Sequence, residues 1–321
     1  MDKVLGIGNA LVDIMTKLPD DSILEKFLLK KGSMQLSDRE FAEKINQATS
    51  QYEKSQSSGG SAANAIHGLA NLGAATGYIG KVGNDEFGEF FSSDMRANNI
   101  EPILLKSKTN TGRAIALIST DSERTFATYL GAAVELNEND LNTEQFKGYQ
   151  YLHIEGYLVQ NHALMNKAAQ LAKENNMKIS IDMASYNVVE DNLEFFKKYV
   201  KEYVDIVFAN EEESKAFTGK DPEEALNELA EYCEIAVVKI GKKGSLVKNN
   251  GKTYRIEPFK ANSIDTTGAG DLYASGFLFG LVNNMPMEKC GSIGSLCASK
   301  VIEFIGSKME LKTWEHIKKN M

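Results

Sequence analysis

Between residues 151 and 240, short β-rich runs alternate with helix-like stretches, and this alternation restricts the fold more than any other feature of the chain. The runs are Tyr151–Glu155, Lys178–Asp182, Asp205–Phe208 and Ile235–Ile240; the stretches between them include His162–Glu174, Leu193–Val200 and Pro222–Tyr232. Repeated strand–helix–strand units of this size imply right-handed crossovers, which leave the strands parallel in one sheet with helices on both faces. A further strand is predicted at Val4–Gly8, leading into the loop Asn9–Asp13. The predicted fold class is a three-layer, doubly wound α/β domain with a mostly parallel sheet.

Two stretches, 13–40 and 102–130, break the alternation. They lack a clear crossover helix but contain alternating segments such as Arg113–Ser119 and Arg124–Tyr129. These segments either pair into a small sheet standing off the main domain or form two ordinary surface excursions. There is no linker, internal repeat or low-complexity tract, and five prolines in 321 residues suit one continuous unit over residues 1–321.

Composition narrows the function classes. A net charge of −8 argues against a general nucleic-acid surface, which is normally basic, but leaves room for a local electropositive site. Cys233, Cys290 and Cys297 show no CxxC spacing and cannot all pair with one another, and the four histidines are scattered. A reduced, cytoplasmic setting without a zinc cluster is the expectation. Neither a signal-peptide core nor an uncharged run long enough to cross a bilayer is visible, so a soluble protein with no membrane partner is predicted.

Familiar nucleotide motifs fail in informative ways. Gly251-Lys252-Thr253 supplies the end of a P-loop, but Leu246 stands where its first glycine belongs. Gly6 and Gly8 begin a dinucleotide fingerprint that Leu11 breaks at the third glycine. No HRD or DFG set is present.

The strongest local signal is Asp265-Thr266-Thr267-Gly268-Ala269-Gly270-Asp271, followed by the helix-like Leu272–Gly280. Gly268 and Gly270 therefore sit at a helix N-terminus, where free amides and the helix dipole attract anions. Asp271, in the first turn, either complements that dipole or faces whatever the amides bind. A second glycine pair, Gly59-Gly60, enters the small-residue helix that closes at Gly73. Tight packing accounts for the alanines of that helix but not for Asn64, a side chain with both donor and acceptor. Asn210-Glu211-Glu212-Glu213 follows a strand, so it lies at the carboxyl edge of the sheet, where open α/β folds bind ligands; an acidic helix start explains the same glutamates. Gly241 and Gly244 fit either a plain turn or a nucleotide-side loop.

Together these segments resemble the ribokinase-like (PfkB) family of carbohydrate and nucleoside kinases. Residues 265–271 match its DTxGAGD signature. Gly59, Gly60, Asn64 and the closing Leu72-Gly73 match its first signature, and the resemblance runs from Gly8 to about Gly306. It implies that the amides of Gly268, Ala269, Gly270 and Asp271 hold the transferring γ-phosphoryl group of ATP and that Asp271 takes the proton of the attacking hydroxyl. It implies acceptor contacts from Asp13, Gly59, Gly60 and Asn64. Asn210 and Glu213 correspond to an N-x-x-E motif that orders water around Mg2+, and Lys239, Gly241, Gly244 and Ser295 fall on the nucleotide side. Lys239 departs from the family's usual Thr. The family's architecture makes parts of 13–40 and 102–130 a small β-sheet lid that closes over the acceptor.

Ser61-Ala62-Ala63-Asn64, the Leu24–Gly32 insertion and Arg124-Thr125-Phe126 are most like adenosine kinases. Arg124 faces the phosphates by that likeness, or pairs with Glu123 or Asp121 at the surface. The function expected is phosphoryl transfer from ATP to the 5′-hydroxyl of a nucleoside such as adenosine, with a sugar kinase for ribose, fructose or a related carbohydrate as the alternative. A non-catalytic sensor would have no use for Asp271, and the broken dinucleotide fingerprint disfavours an oxidoreductase. The resemblance brings ATP and Mg2+, a monovalent cation such as K+ as a further candidate, and a monomer or homodimer.

Overall fold

A computed structural model describes residues 2–121 and 123–321. Fourteen strands occur among these residues: β1 Lys3–Ile7, β2 Leu11–Lys17, β3 Met34–Leu36, β4 Lys54–Gly59, β5 Ala75–Gly83, β6 Ile100–Ser107, β7 Gly112–Ile118, β8 Arg124–Tyr129, β9 Tyr151–Glu155, β10 Lys178–Asp182, β11 Ile206–Asn210, β12 Ile235–Lys239, β13 Ser245–Asn249 and β14 Lys252–Ile256. Nine of them form the main sheet in the order β14-β13-β12-β11-β10-β9-β1-β5-β6. From β12 to β6 every neighbouring pair is parallel; β13 and β14 close one edge as antiparallel hairpins.

The central strands carry almost unbroken apolar runs because helices cover both faces of the sheet. Side chains alternate between the two faces. Val4, Phe208 and Val237 pack with Ile66, Phe277 and Leu278 on one side. Leu5, Ile154, Ile179 and Val207 pack with Leu164, Phe196 and Leu226 on the other. The helices behave as predicted apart from their ends: His162–Glu174 matches, Leu193–Tyr203 runs three residues further, and Pro222–Leu229 stops three residues earlier.

The second sheet has five strands in the order β3-β8-β7-β2-β4. Four of these strands, β2, β3, β7 and β8, come from or overlap the two stretches that break the alternation, so these are not mere surface excursions. Residues 102–107 are an exception, because they continue β6 along the edge of the main sheet. The strand β4 was not anticipated. Its sequence, Lys-Ser-Gln-Ser-Ser-Gly, has low strand propensity and becomes a strand by pairing antiparallel with β2, with Leu11 opposite Gly59 and Asp13 opposite Ser57. That pairing holds the early aspartate over the glycine pair.

Phe277 is fully buried in the Ala269–Val282 helix, with its ring edge-on to Phe208, centroids 5.5 Å apart. Phe277→Ala is expected to cost about 3–5 kcal/mol of unfolding free energy, read as a lowered urea midpoint. A shift below about 1 kcal/mol would mean that this helix is not seated on the sheet as described.

Candidate active site

The carboxyl ends of five adjacent strands present a row of polar residues. Reading across the sheet, these are Lys239 at the end of β12, Asn210 at β11, Asp182 at β10, Glu155 at β9 and Asn9 just beyond β1. Two helix N-termini point toward this row, those of Ser61–Leu72 and Ala269–Val282. The two helices pack so closely that a Cβ on Gly68 would strike Ser275, whose hydroxyl donates to the Ala65 carbonyl at 2.8 Å. This contact brings the two glycine-rich motifs, some 200 residues apart in sequence, to one place.

Asp271 sits where they meet. Its Oδ1 accepts from Ser61 Oγ at 2.7 Å and its Oδ2 from Asn64 Nδ2 at 3.0 Å. Burial, helped by the negative charge of Asp182, pushes its carboxyl up to about 6, while the two donors pull it down. Gly268 caps the helix in the left-handed region, with φ of 75°, leaving the amides of Ala269, Gly270 and Asp271 in the first turn. Asp271 is thus a carboxylate at the glycine turn, oriented by partners from another helix.

Asp13 lies against Gly59, with its carboxyl atoms where a Cβ at that position would be. Burial raises it to about 6, against the opposing pull of Lys308. Asn64 is shared: its amide nitrogen goes to Asp271, and its oxygen accepts from Ser307 Oγ at 2.7 Å and Lys308 Nζ at 3.3 Å. Glu155, buried beneath Gly60, accepts from Asn9 Nδ2 at 2.7 Å and from the Ala62 amide at 3.1 Å. Burial lifts it to about 7. Lys308 is lowered to about 8 by burial, against the opposing charges of Asp13, Asp94 and Asp271.

Arg124 does not make the surface pairing left open for it. It pairs with neither Glu123 nor Asp121 but reaches from β8 to Asp265 and to the hydroxyl of Thr267. Lys31 takes Asp121 instead, at 2.8 Å. Asp265 also accepts from the amides of Thr267 and Gly306, so Arg124 ties the small sheet to the loop that leads into the Gly268–Gly270 turn.

On the far side, Asn210 and Glu213 form a capping box. Glu213 accepts from the Asn210 amide at 2.7 Å and from its side chain at 2.8 Å, and the Asn210 oxygen accepts from the Glu213 amide at 2.8 Å. Burial raises the Glu213 carboxyl despite the nearby charge of Lys239. Gly241 and Gly244 bound the tight turn between β12 and β13. Ser295 spends its donor on the Glu257 carbonyl at 3.1 Å. Sequence reasoning overlooked Asp182, Glu155, Ser61 and Lys308. Single polar residues at strand ends or in a closing loop carry no local pattern, and only the strand order brings them together.

Comparisons with known proteins bear on the family and the fold. The family described as pfkB family carbohydrate kinase matches residues 32–314. The chain is 30% identical over 279 residues to a 5-dehydro-2-deoxygluconokinase of Clostridium perfringens, covering 81% of this chain and 82% of that one. A probable sugar kinase from Rhizobium etli superposes with a TM-score of 0.88 at 33% identity, covering 99% of this chain and 98% of its own. Adenosine kinase from Sinorhizobium meliloti superposes with a TM-score of 0.87 at 34% identity, covering 100% and 99%.

Ser61→Ala removes one donor to Asp271, worth about 1 kcal/mol. The carboxyl is expected to titrate roughly half to one unit higher as a result, measured by carboxyl 13C NMR on labelled aspartate. An unchanged titration would show that Ser61 does not hold the ionised form.

Proposed function

The chain belongs to the pfkB family of carbohydrate kinases, and we propose that it transfers the γ-phosphoryl group of ATP to the 5′-hydroxyl of a nucleoside. The observation that carries the catalytic part is the position of Asp271, aimed by Ser61 and Asn64 at the mouth of the Gly268–Gly270 turn. Likeness to the Sinorhizobium adenosine kinase over the full length of both chains supports the nucleoside.

The acceptor occupies the space between Asp13 and Asp271, its sugar hydroxyls donating to Asp13 and its reacting hydroxyl to Asp271. As the acceptor oxygen bonds to the γ-phosphorus, the bond from phosphorus to the bridging oxygen breaks. Its electrons leave with ADP, and the acceptor proton passes to Asp271. The amides of Gly268, Ala269 and Gly270 stabilise the charge on the equatorial oxygens, so the protein acts chiefly by positioning and electrostatics. The small sheet, tied down through Arg124, keeps water from competing with the acceptor.

Kinases of this family use ATP and usually Mg2+. Among the described residues no group of three or more His, Cys, Asp or Glu side chains converges to cage a metal. The hard oxygens of Asn210 and Glu213 fit an ion that arrives on the nucleotide phosphates and keeps its waters. Bound there, Mg2+ would neutralise phosphate charge, with Asn210 and Glu213 holding its water shell. No helix among the described residues is long and apolar enough to cross a membrane.

A sugar kinase is the second reading, favoured by the Clostridium relative and by Lys308, a donor beside Asp13 suited to a densely hydroxylated acceptor. A panel of nucleosides and sugars with coupled ADP detection separates the two: turnover with sugars and none with any nucleoside would defeat the first. Asp271→Asn is expected to keep substrate affinities near wild type and to lower kcat by roughly 10²-fold or more. Both Asp271 and Asp13 must be ionised, and both lie near 6, so kcat/KM for the acceptor should fall as pH drops through about 6. Two protons enter on that limb, and Asp13→Asn should reduce its slope to one. An acid limb near 4 would count against the assignment.

A further inference from the structure

We infer that Lys239 supplies the positive charge that meets the γ-phosphoryl group in flight, and that Asp182 is the positioning residue that aims it. The inference rests on the phosphoryl-transfer reading of this site and adds a catalytic side chain to it.

Lys239 is the last residue of β12 and Asp182 the last of β10, with β11 between them. The lysine reaches across β11, and its Nζ donates to Asp182 Oδ2 at 2.8 Å. The other oxygen of Asp182 accepts from the Ala184 amide at 3.2 Å, which fixes the plane of the carboxylate. From there the ammonium lies over the anion-binding turn, 3.0 Å from the point where a Cβ on residue 270 would be. A Cβ at residue 270 would press on the ammonium and shift it by a few tenths of an ångström.

A lysine ammonium has three N–H donors, and the hydrogen bonds among the described residues use one of them. The two spare donors are held against Gly270, in the first turn of the Ala269–Val282 helix. Its side chain is only 15% exposed, so keeping the charge there costs hydration that must be recovered. Burial acts to lower its pKa, but Asp182, Glu213 and Asp271 outweigh it and hold the group charged. A pairing made for stability alone gains nothing from standing over an anion site. The other two cations near the acceptor are committed elsewhere: Arg124 to Asp265 and Thr267, and Lys308 to the region of Asn64 and Asp13.

In the transfer step described above, negative charge is spread over the equatorial oxygens of the moving group and builds on the bridging oxygen left with ADP. A point charge beside Gly270 stabilises that arrangement more than it stabilises bound ATP, so its loss should appear in kcat. Lysine suits such a role as a compact charge with rotatable donors.

The test compares wild type, Lys239→Met, Lys239→Arg, Asp182→Asn and the double variant D182N/K239M, using the acceptor that the panel identifies. Steady-state kinetics are paired with calorimetric binding of ADP alone and of ADP with aluminium fluoride. K239M is expected to lose roughly 10²–10³-fold in kcat, with the acceptor KM within about threefold of wild type. Its ADP affinity should hold while its affinity for the aluminium fluoride complex falls by a comparable factor. K239R should recover part of the loss. Asp182→Asn should lose less than K239M, and the double variant should be no worse than K239M, since Asp182 acts through the lysine. The double variant also removes both charges together, so it remains informative if K239M, with Asp182 left unpaired, fails to fold. A kcat near wild type in K239M or in the double variant, with only the ATP KM raised, would overturn the inference and leave the kinase reading standing. A wild-type protein that transfers phosphate to nothing would overturn that reading and this one with it.

Discussion

The close packing of the Ser61–Leu72 helix against the Ala269–Val282 helix is the contact on which the site depends. Gly68 lets the two backbones approach, and the Ser275 hydroxyl bridges them by donating to Ala65. Separate them and Asn64 and Ser61 no longer reach Asp271, and Asp13 and Gly59 lose their register with the Gly268–Gly270 turn. The helices can approach because both are poor in charge on that side: alanine, glycine and serine on the first, and a helix buried almost all round on the second. Hydrophobic burial against the sheet drives the packing, and the small residues set its distance.

Around that contact the protein gathers more negative charge than it neutralises. Asp13 and Asp271 are raised to about 6 and Glu155 to about 7, each first by burial. In every case the folded value lies above the ordinary one, so the folded state binds these protons more tightly than the unfolded chain. Each group therefore subtracts stability as pH rises from its ordinary value toward its folded value, and the cost is complete only above about 6 for Asp13 and Asp271 and above about 7 for Glu155. That is the expected sign for a site kept ready to take a proton rather than one built for strength.

Much of the fold was legible because the strand–helix alternation from 151 to 240 is long and regular, and the glycine signatures have a physical reason for their spacing. The small sheet was only half legible: β7 and β8 alternate as strands do, but Lys54–Gly59 becomes a strand through its partner β2 and not through its own residues. Of the site, Asp271 and Asn64 could be picked out because each follows glycines at a helix start, whereas Asp13 came only from the family resemblance. Asp182, Lys239 and Glu155 could not be joined in advance, since a lone charge at a strand end acquires neighbours only when the order β12-β11-β10-β9 is known. Arg124 left two readings open for a related reason. Nearby acids in sequence looked adequate partners, whereas the folded chain offered Asp265, better buried and already fixed by two amides.

On the proposed kinase reading, two lysines of the site divide the work between them. Lys308, with Asn64 and within the field of Asp13, stands on the side where the acceptor hydroxyls would lie. Lys239, with Asp182, stands on the side where the phosphoryl group would be transferred. Asp271 lies between them and feels both, so its carboxyl is held by neutral donors, Ser61 and Asn64, rather than by direct pairing with either lysine. A salt bridge would have drawn its pKa down and weakened it as a base. Neutral hydrogen bonds orient the carboxylate while burial keeps it basic, and charge is reserved for the group that needs it during transfer.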